Sequence, residues 1–191
     1  MPNTLQCGIR RSISRSARTT TGEKQTMANA GDDKGSTGRI LEDAEAFGDL
    51  LPADRALIGI DAGTKTFGLA LSDLSRTIAS PLETIQRSRF SKDLLRFEEL
   101  VRQNDICGLV LGLPRNLDGS EGPRAQSTRA LARNLARSLE LPILLWDERL
   151  TTSQAERMLI EADASRKRRH EVIDKLAATL ILQGALDRLK C

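Results

Sequence analysis

From Leu57 onward, short apolar runs alternate with amphipathic stretches, and the two periods are easy to separate. "ALIGID" and "TFGLALSD" have strand length and are joined by a turn that holds Gly63, so they predict a β-hairpin. "TIASPLETIQ" offers a third strand, interrupted at Pro81, which suits an edge or a bent strand. "SKDLLRFEELVRQN" places Leu94, Leu95, Phe97, Leu100 and Val101 at helical spacing, with Ser91 as its N-cap. "ICGLVLGLP" is a continuous apolar run closed by Gly112 and Pro114, as expected of a strand buried on both faces. A helix "AQSTRALARNLARSLE", a buried strand "PILLWDE" and two helices, "SQAERMLIEA" and "HEVIDKLAATLILQGALDRL", complete the pattern, the last two separated by the basic run "SRKRRH". The order β-β-β-α-β-α-β-α-α predicts an α/β fold. Its mixed sheet has a three-strand antiparallel meander plus two parallel strands and is flanked by helices.

Residues 1–52 follow neither period. Arg10, Arg11, Arg15 and Arg18 are interleaved with Ser and Thr, no acid occurs before Glu23, and little apolar surface follows. Such a segment cannot bury enough to offset its ordering entropy, so a disordered tail is expected. The Arg- and Ser-rich start resembles an organelle transit peptide. The plainer reading is a mis-annotated start, with the true one near Met27. Within the tail, "ILEDAEAFG" offers a short helix at about 40 to 48. The folded domain is expected over 53–191.

Composition narrows the chemistry. The chain has 191 residues, room for one ordinary domain. Aromatics are 3% and Tyr is absent, so the core must come from Leu, Ile, Val and Ala. Net charge is +3, which permits a polyanionic partner without demanding one. Cys7, Cys107 and Cys191 are too widely spaced for a disulfide framework or a zinc site, and a reducing cytoplasm is the default location. A serine–histidine pair would need the single histidine, His170, as its base. No apolar run has the length to span a bilayer, so no membrane partner is expected.

The chemistry concentrates in the acids. Asp61 ends the first strand, and Asp147 and Glu148 end the last. Sites in open α/β sheets form beyond the carboxyl ends of strands, so these acids can converge if their strands are parallel neighbours. Asp174 lies on the apolar stripe of the closing helix, with Ala177 and Ala178 beside it. Each acid also has a plain structural explanation. Asp61 could cap a turn, Asp147 or Glu148 could pair with Arg149, and Asp174 could be an N-terminal helix acid with a local partner. Together, however, crowded carboxylates need a compensating cation, and hard divalent ions prefer carboxylate oxygens. A Mg²⁺ or Mn²⁺ site is expected, suited to two-metal phosphodiester hydrolysis, with Lys65 adding positive charge near the scissile phosphate.

Four stretches in order, "GIDAGTKTFGLALSD", "LVLGLPRNLDGSEGPRA", "WDERLTTSQAERML" and "IDKLAATLILQGALD", resemble the YqgF family, also called RuvX. The resemblance covers about residues 57–189. It implies a ribonuclease H-like fold and a nuclease role: 5′-end processing of pre-16S ribosomal RNA in ribosome biogenesis, or Holliday junction resolution in DNA recombination and repair. By motif, Asp61 matches the first-strand metal-binding aspartate and Asp174 the aspartate of the closing helix. In related resolvases the middle acid ends the fourth strand. Here that strand ends in "GLP", so the "DER" motif supplies the candidate, Glu148 ahead of Asp147. Metal ligation thus falls to Asp61, Glu148 and Asp174.

Structured RNA or branched DNA is the expected partner, with the ribosome as a further one, and the chain acts as a monomer or homodimer. "GLPRNLDGSEGPR" carries Arg115 and Arg124 into a helix start, which suits phosphate gripping; an ordinary strand–helix connection is the alternative. Arg149 and the run Arg166, Lys167, Arg168 and Arg169 are further candidates for backbone contact, although a charged linker also explains the run. Few aromatics argue against reading single strands by stacking. Two rival functions remain. A phosphotransferase of the actin and sugar-kinase type would need a second copy of the "DAGT" loop. A non-catalytic nucleic-acid-binding module would have no use for the acids.

Overall fold

The computed structural model describes the backbone of residues 38–150 and 166–190, and the side chains of 38–149 and 174–190. Strand β1 (Ile40–Leu41) and helix α1 (Ala44–Gly48) come first, followed by the meander β2 (Ala56–Ala62), β3 (Thr66–Ser72) and β4 (Ala79–Gln86). Helix α2 (Phe90–Gln103), β5 (Ile106–Leu113), α3 (Pro123–Leu139) and β6 (Ile143–Asp147) alternate after it. A single 3-10 turn (Glu148–Leu150) and the long helix α4 (Arg166–Leu189) complete the described chain.

The six strands form one sheet in the order β1-β6-β5-β2-β3-β4. β2, β3 and β4 are antiparallel neighbours, whereas β1, β6, β5 and β2 run parallel. This is the mixed sheet expected, an antiparallel meander joined to parallel strands, with one correction. β2 and β6 are not neighbours, because β5 lies between them. β5 is buried along all eight residues, as its unbroken apolar run requires. Pro81 sits in β4, the edge strand, where its missing N–H is tolerated.

Alternation along the strands builds two cores. Ile58, Ile60, Phe67, Leu69, Leu109, Leu111, Ile143 and Leu145 face one way and pack with Phe97 of α2 and Leu131 and Leu135 of α3. Phe67 and Phe97 meet edge to face at 5.6 Å. Leu57, Ala70, Val110 and Leu144 face the other way, against Phe47 of α1 and Ala178, Ile181, Leu182 and Ala185 of α4. The second face is lined with glycines. A Cβ at Gly59 would stand 2.6 Å from Leu182 Cβ, and one at Gly68 would collide with the carbonyl of Asp174. Glycine at these positions lets α4 lie directly on the sheet.

Three expectations about element ends need correction. The tail boundary at residue 52 falls inside the fold. β1 pairs with β6, Phe47 is completely buried, and truncating such a phenylalanine typically costs about 3–5 kcal/mol. Residues 1–37 lie outside the described residues. Helix α2 starts at Phe90, with Arg89 at the N-cap position instead of Ser91, because Asp93 accepts from the Ser88 N–H and hydroxyl and fixes the entry two residues earlier. The basic run 166–170 does not separate two helices; it forms the first turns of α4. The helix expected over "SQAERMLIEA" lies outside the described residues. Among the described residues no helix is long and apolar enough to cross a membrane.

Candidate active site

The register brings the acids together despite the intervening strand. Ile60 of β2 pairs with Leu111 of β5, so Asp61 lies level with Gly112, and Gly112 in turn pairs with Trp146 of β6. Glu148 follows β6 and folds back over β5. A Cβ at Gly112 would stand 2.8 Å from Glu148 Oε1 and 3.3 Å from its Cγ. The "GLP" ending of β5 is therefore the gap that Glu148 fills. An acid sent from the next strand occupies the space above the strand end that lacks one.

Asp174 arrives from α4. Its Oδ2 accepts a 2.6 Å hydrogen bond from Thr66 Oγ1, a contact between residues 108 positions apart. Thr66 lies on the same face of β3 as Gly68, the partner of Asp61, so the hydroxyl and the first acid share one side of the hairpin. Sequence reasoning passed over Thr66, although two-residue alternation through the hairpin would have found it.

Asp61 stands between the other two acids electrostatically. Burial, then the nearby Asp174 carboxylate, pushes Asp61 up to about 6, with Arg124 pulling the other way. Burial, then Asp61, pushes Glu148 up to about 7, again opposed by Arg124. Asp147 behaves oppositely. Its carboxylate is gripped by Arg149, Nε to Oδ1 at 3.0 Å and Nη2 to Oδ2 at 2.7 Å, and this pairing holds it below the usual carboxylate range. Of the two adjacent acids, Glu148 faces Asp61 and Asp147 belongs to an ion-pair network.

That network also takes two of the expected nucleic-acid contacts. Arg115 Nη2 donates to Glu42 Oε2 at 2.6 Å and lies 3.7 Å, through Nη1, from Asp147. Arg129, one of three arginines at i, i+4 and i+8, is held by Glu121 and Glu42. Arg149 Nη1 also reaches the Asn116 and Leu117 carbonyls. Glu42 was assigned to the tail, so its part in the network could not be anticipated. The loop after β5 uses its own amides, with Asn116 N–H on Ser120 O and Gly119 N–H on Asn116 O. That pattern is an ordinary connection rather than a ready phosphate cradle. Arg124, at the start of α3, is exposed, and Lys65 is exposed in the β2–β3 turn. The side chains of Arg166, Lys167, Arg168 and Arg169 lie outside the described residues.

Carboxylates with proton affinity raised by burial and like charge suit a hard divalent cation, which would compete with the proton and relieve the repulsion. Among the described residues no three acidic, histidine or cysteine side chains stand close enough to close a shell around one ion. An open site fits Mg²⁺, which takes one or two carboxylates and keeps several waters.

A family model described as "RuvX: Holliday junction resolvase" matches residues 55–188. A protein of Roseobacter denitrificans named "Putative pre-16S rRNA nuclease" is 59% identical over 153 residues, 79% of this chain and 94% of its own. One of Cereibacter sphaeroides bearing the same name is 61% identical over 150 residues, 78% of this chain and 94% of its own. Among solved structures, "T. thermophilus RuvC in complex with Holliday junction substrate" matches at 14% identity with a TM-score of 0.46, over 66% of this chain and 91% of that one.

Proposed function

The chain belongs to the RuvX family, and on that premise we propose that it is a metal-dependent endonuclease that trims the 5′ end of the 16S ribosomal RNA precursor. What supports this reading is the placement of Asp61 near both Asp174 and Glu148, acids from three separate elements, with burial and like charge raising the proton affinity of Asp61 and Glu148. A cluster of buried, mutually repelling acids lowers stability unless it serves a cation or a reaction.

Asp61, Glu148 and Asp174 would hold the divalent ions. When bound, such ions polarise the phosphoryl oxygen and lower the pKa of a coordinated water. The chain's own residues supply position and charge. Thr66 fixes the rotamer of Asp174, and Gly112 leaves space for Glu148 to reach across β5. Arg124 lies close enough to oppose the proton affinity of both Asp61 and Glu148, so its charge reaches the reacting phosphate. Lys65 stands at the rim as a further positive charge.

The test is cleavage by the full chain, with Mg²⁺ or Mn²⁺, of an RNA spanning the mature 5′ end of 16S rRNA and of a four-way DNA junction. Cutting of the RNA at one position, lost in Asp61→Asn, is the expected result. Symmetric cutting of the junction alone, by a dimer on gel filtration, would move the assignment to the resolvase reading, which the family description favours.

A further inference from the structure

One residue beyond Asp61, a small pocket opens between the β2–β3 turn, the end of β4 and the first turn of α3. Gly63, Thr64, Arg87, Arg124 and Ser127 line it, and its volume is about 50 Å³. A water occupies roughly 30 Å³, so the pocket admits a group of a few heavy atoms and not a nucleobase. Ala62 and Leu131 give it an apolar floor, and Arg87, Arg124 and the hydroxyl residues Thr64, Ser127 and Thr128 supply donors suited to an oxyanion.

Arg87 is held before any ligand arrives. Its Nη1 donates to the Gly63 carbonyl at 2.6 Å, and its guanidinium lies 4.6 Å from the centroid of the Phe67 ring. Its backbone N–H closes on Lys65 O at 2.9 Å, which locks the end of β4 to the hairpin turn. A guanidinium fixed on one side keeps its other N–H groups for a partner.

What separates this pocket from the rest of the site's surroundings is that no close ion pair takes up its arginines, although Arg124 also acts at longer range on Asp61 and Glu148. Arg115, Arg129 and Arg149 are each bound to carboxylates. Among the described residues, neither Arg87 nor Arg124 has a carboxylate at ion-pair distance. Arg87, held in place by Gly63 and Phe67, and the exposed Arg124, with no carboxylate at ion-pair distance among the described residues, leave room for an anion from outside, one residue beyond Asp61.

We propose that this pocket grips a backbone phosphate of the substrate strand next to the one that is cleaved, with Arg87 and Arg124 as its charged jaws and Thr64 and Ser127 as neutral donors. The proposal rests on the nuclease reading and adds a second point of attachment to it. One phosphate held here and its neighbour at the acids would set the register of cutting without reading any base.

The experiment is a methylphosphonate scan. In a set of synthetic RNAs spanning the 5′ end of 16S rRNA, one phosphate at a time loses its charge, and cleavage and binding are measured for the wild type and Arg87→Ala. At one position next to the cut, the substitution is expected to raise the wild-type KM about tenfold, the scale of one charge-assisted hydrogen bond, with kcat nearly unchanged. Arg87→Ala should raise KM by a similar factor on the unmodified RNA and be indifferent to that position. It should also lower the slope of binding against salt by about one ion. Because Arg87 also braces the hairpin, Ser127→Asp on the exposed face of α3 is the second variant. It should reproduce the KM effect with the melting temperature unchanged. If cleavage proceeds but no position distinguishes wild type from both variants, the pocket reading is overturned and the nuclease reading stands. If the wild type cuts nothing, the nuclease reading fails. The pocket is then judged by the same scan read as binding to the Asp61→Asn chain.

Discussion

Asp147 and Glu148 are consecutive residues, yet they belong to two regions with opposite electrostatics. Asp147 joins Glu42, Arg115, Glu121, Arg129 and Arg149, where every charge is answered and the acids sit at or below their usual range. Glu148 lies with Asp61, and Asp61 with Asp174, where burial and like charge push Asp61 and Glu148 above their usual range. The first region ties the segment around Glu42 to the loop after β5 and to α3, so it works for the fold. The second works against the fold and is explained by chemistry. Identity of residue type does not separate the two; the environment of each carboxylate does.

Activity should split the adjacent pair most sharply. Asp61→Asn and Glu148→Gln are expected to lower cleavage on the order of a hundredfold or more, beyond what outer-shell changes usually cause, while Asp147→Asn stays within a few-fold. Equal losses from Asp147→Asn and Glu148→Gln in a single-turnover assay would erase the distinction. The metal-free protein gives the next largest effect. Asp61 and Glu148 hold their protons more tightly folded than unfolded, so their ionisation destabilises the fold. Stability should fall by a few kcal/mol at most as pH rises from the ordinary values of 3.8 and 4.5 through about 6 and about 7, and then level off. Urea denaturation across that range should show the slope in wild type, a weaker one in Asp61→Asn, and recovery of the lost stability with Mg²⁺ at pH 8.

Smaller effects test how each region is built. Gly68→Ala drives a methyl into the backbone of α4 at Asp174 and should cost about 1–3 kcal/mol, with a loss of activity out of proportion to that of an Ala placed elsewhere on β3. Glu42→Gln removes charge from a partly exposed pair of bridges and should lower stability by no more than about 1 kcal/mol, with cleavage unchanged. A large activity loss there would mean that the answered charges take part in the reaction after all.

Much of this was readable from the chain. β2, β3, β5 and β6 announced themselves through apolar runs, and Asp61 and Asp174 through their place at a strand end and on an apolar helix stripe. Other features could not be read that way. β1 is two residues long and has no period to detect. The insertion of β5 between β2 and β6 is a choice of sheet order, which a one-dimensional pattern does not hold. Arg115, Arg124 and Arg149 look alike in sequence. Which of them is neutralised depends on partners such as Glu42, 73 residues from Arg115.

The chain's order of synthesis has its own consequence, because the hydroxyl–carboxylate contact at Thr66 waits for α4. A ribosome extends the polypeptide from one end, so a nascent copy that already holds the whole sheet still lacks Asp174. On the proposed function, a nuclease completed by α4 is expected to stay silent toward nearby RNA until that helix has emerged and docked.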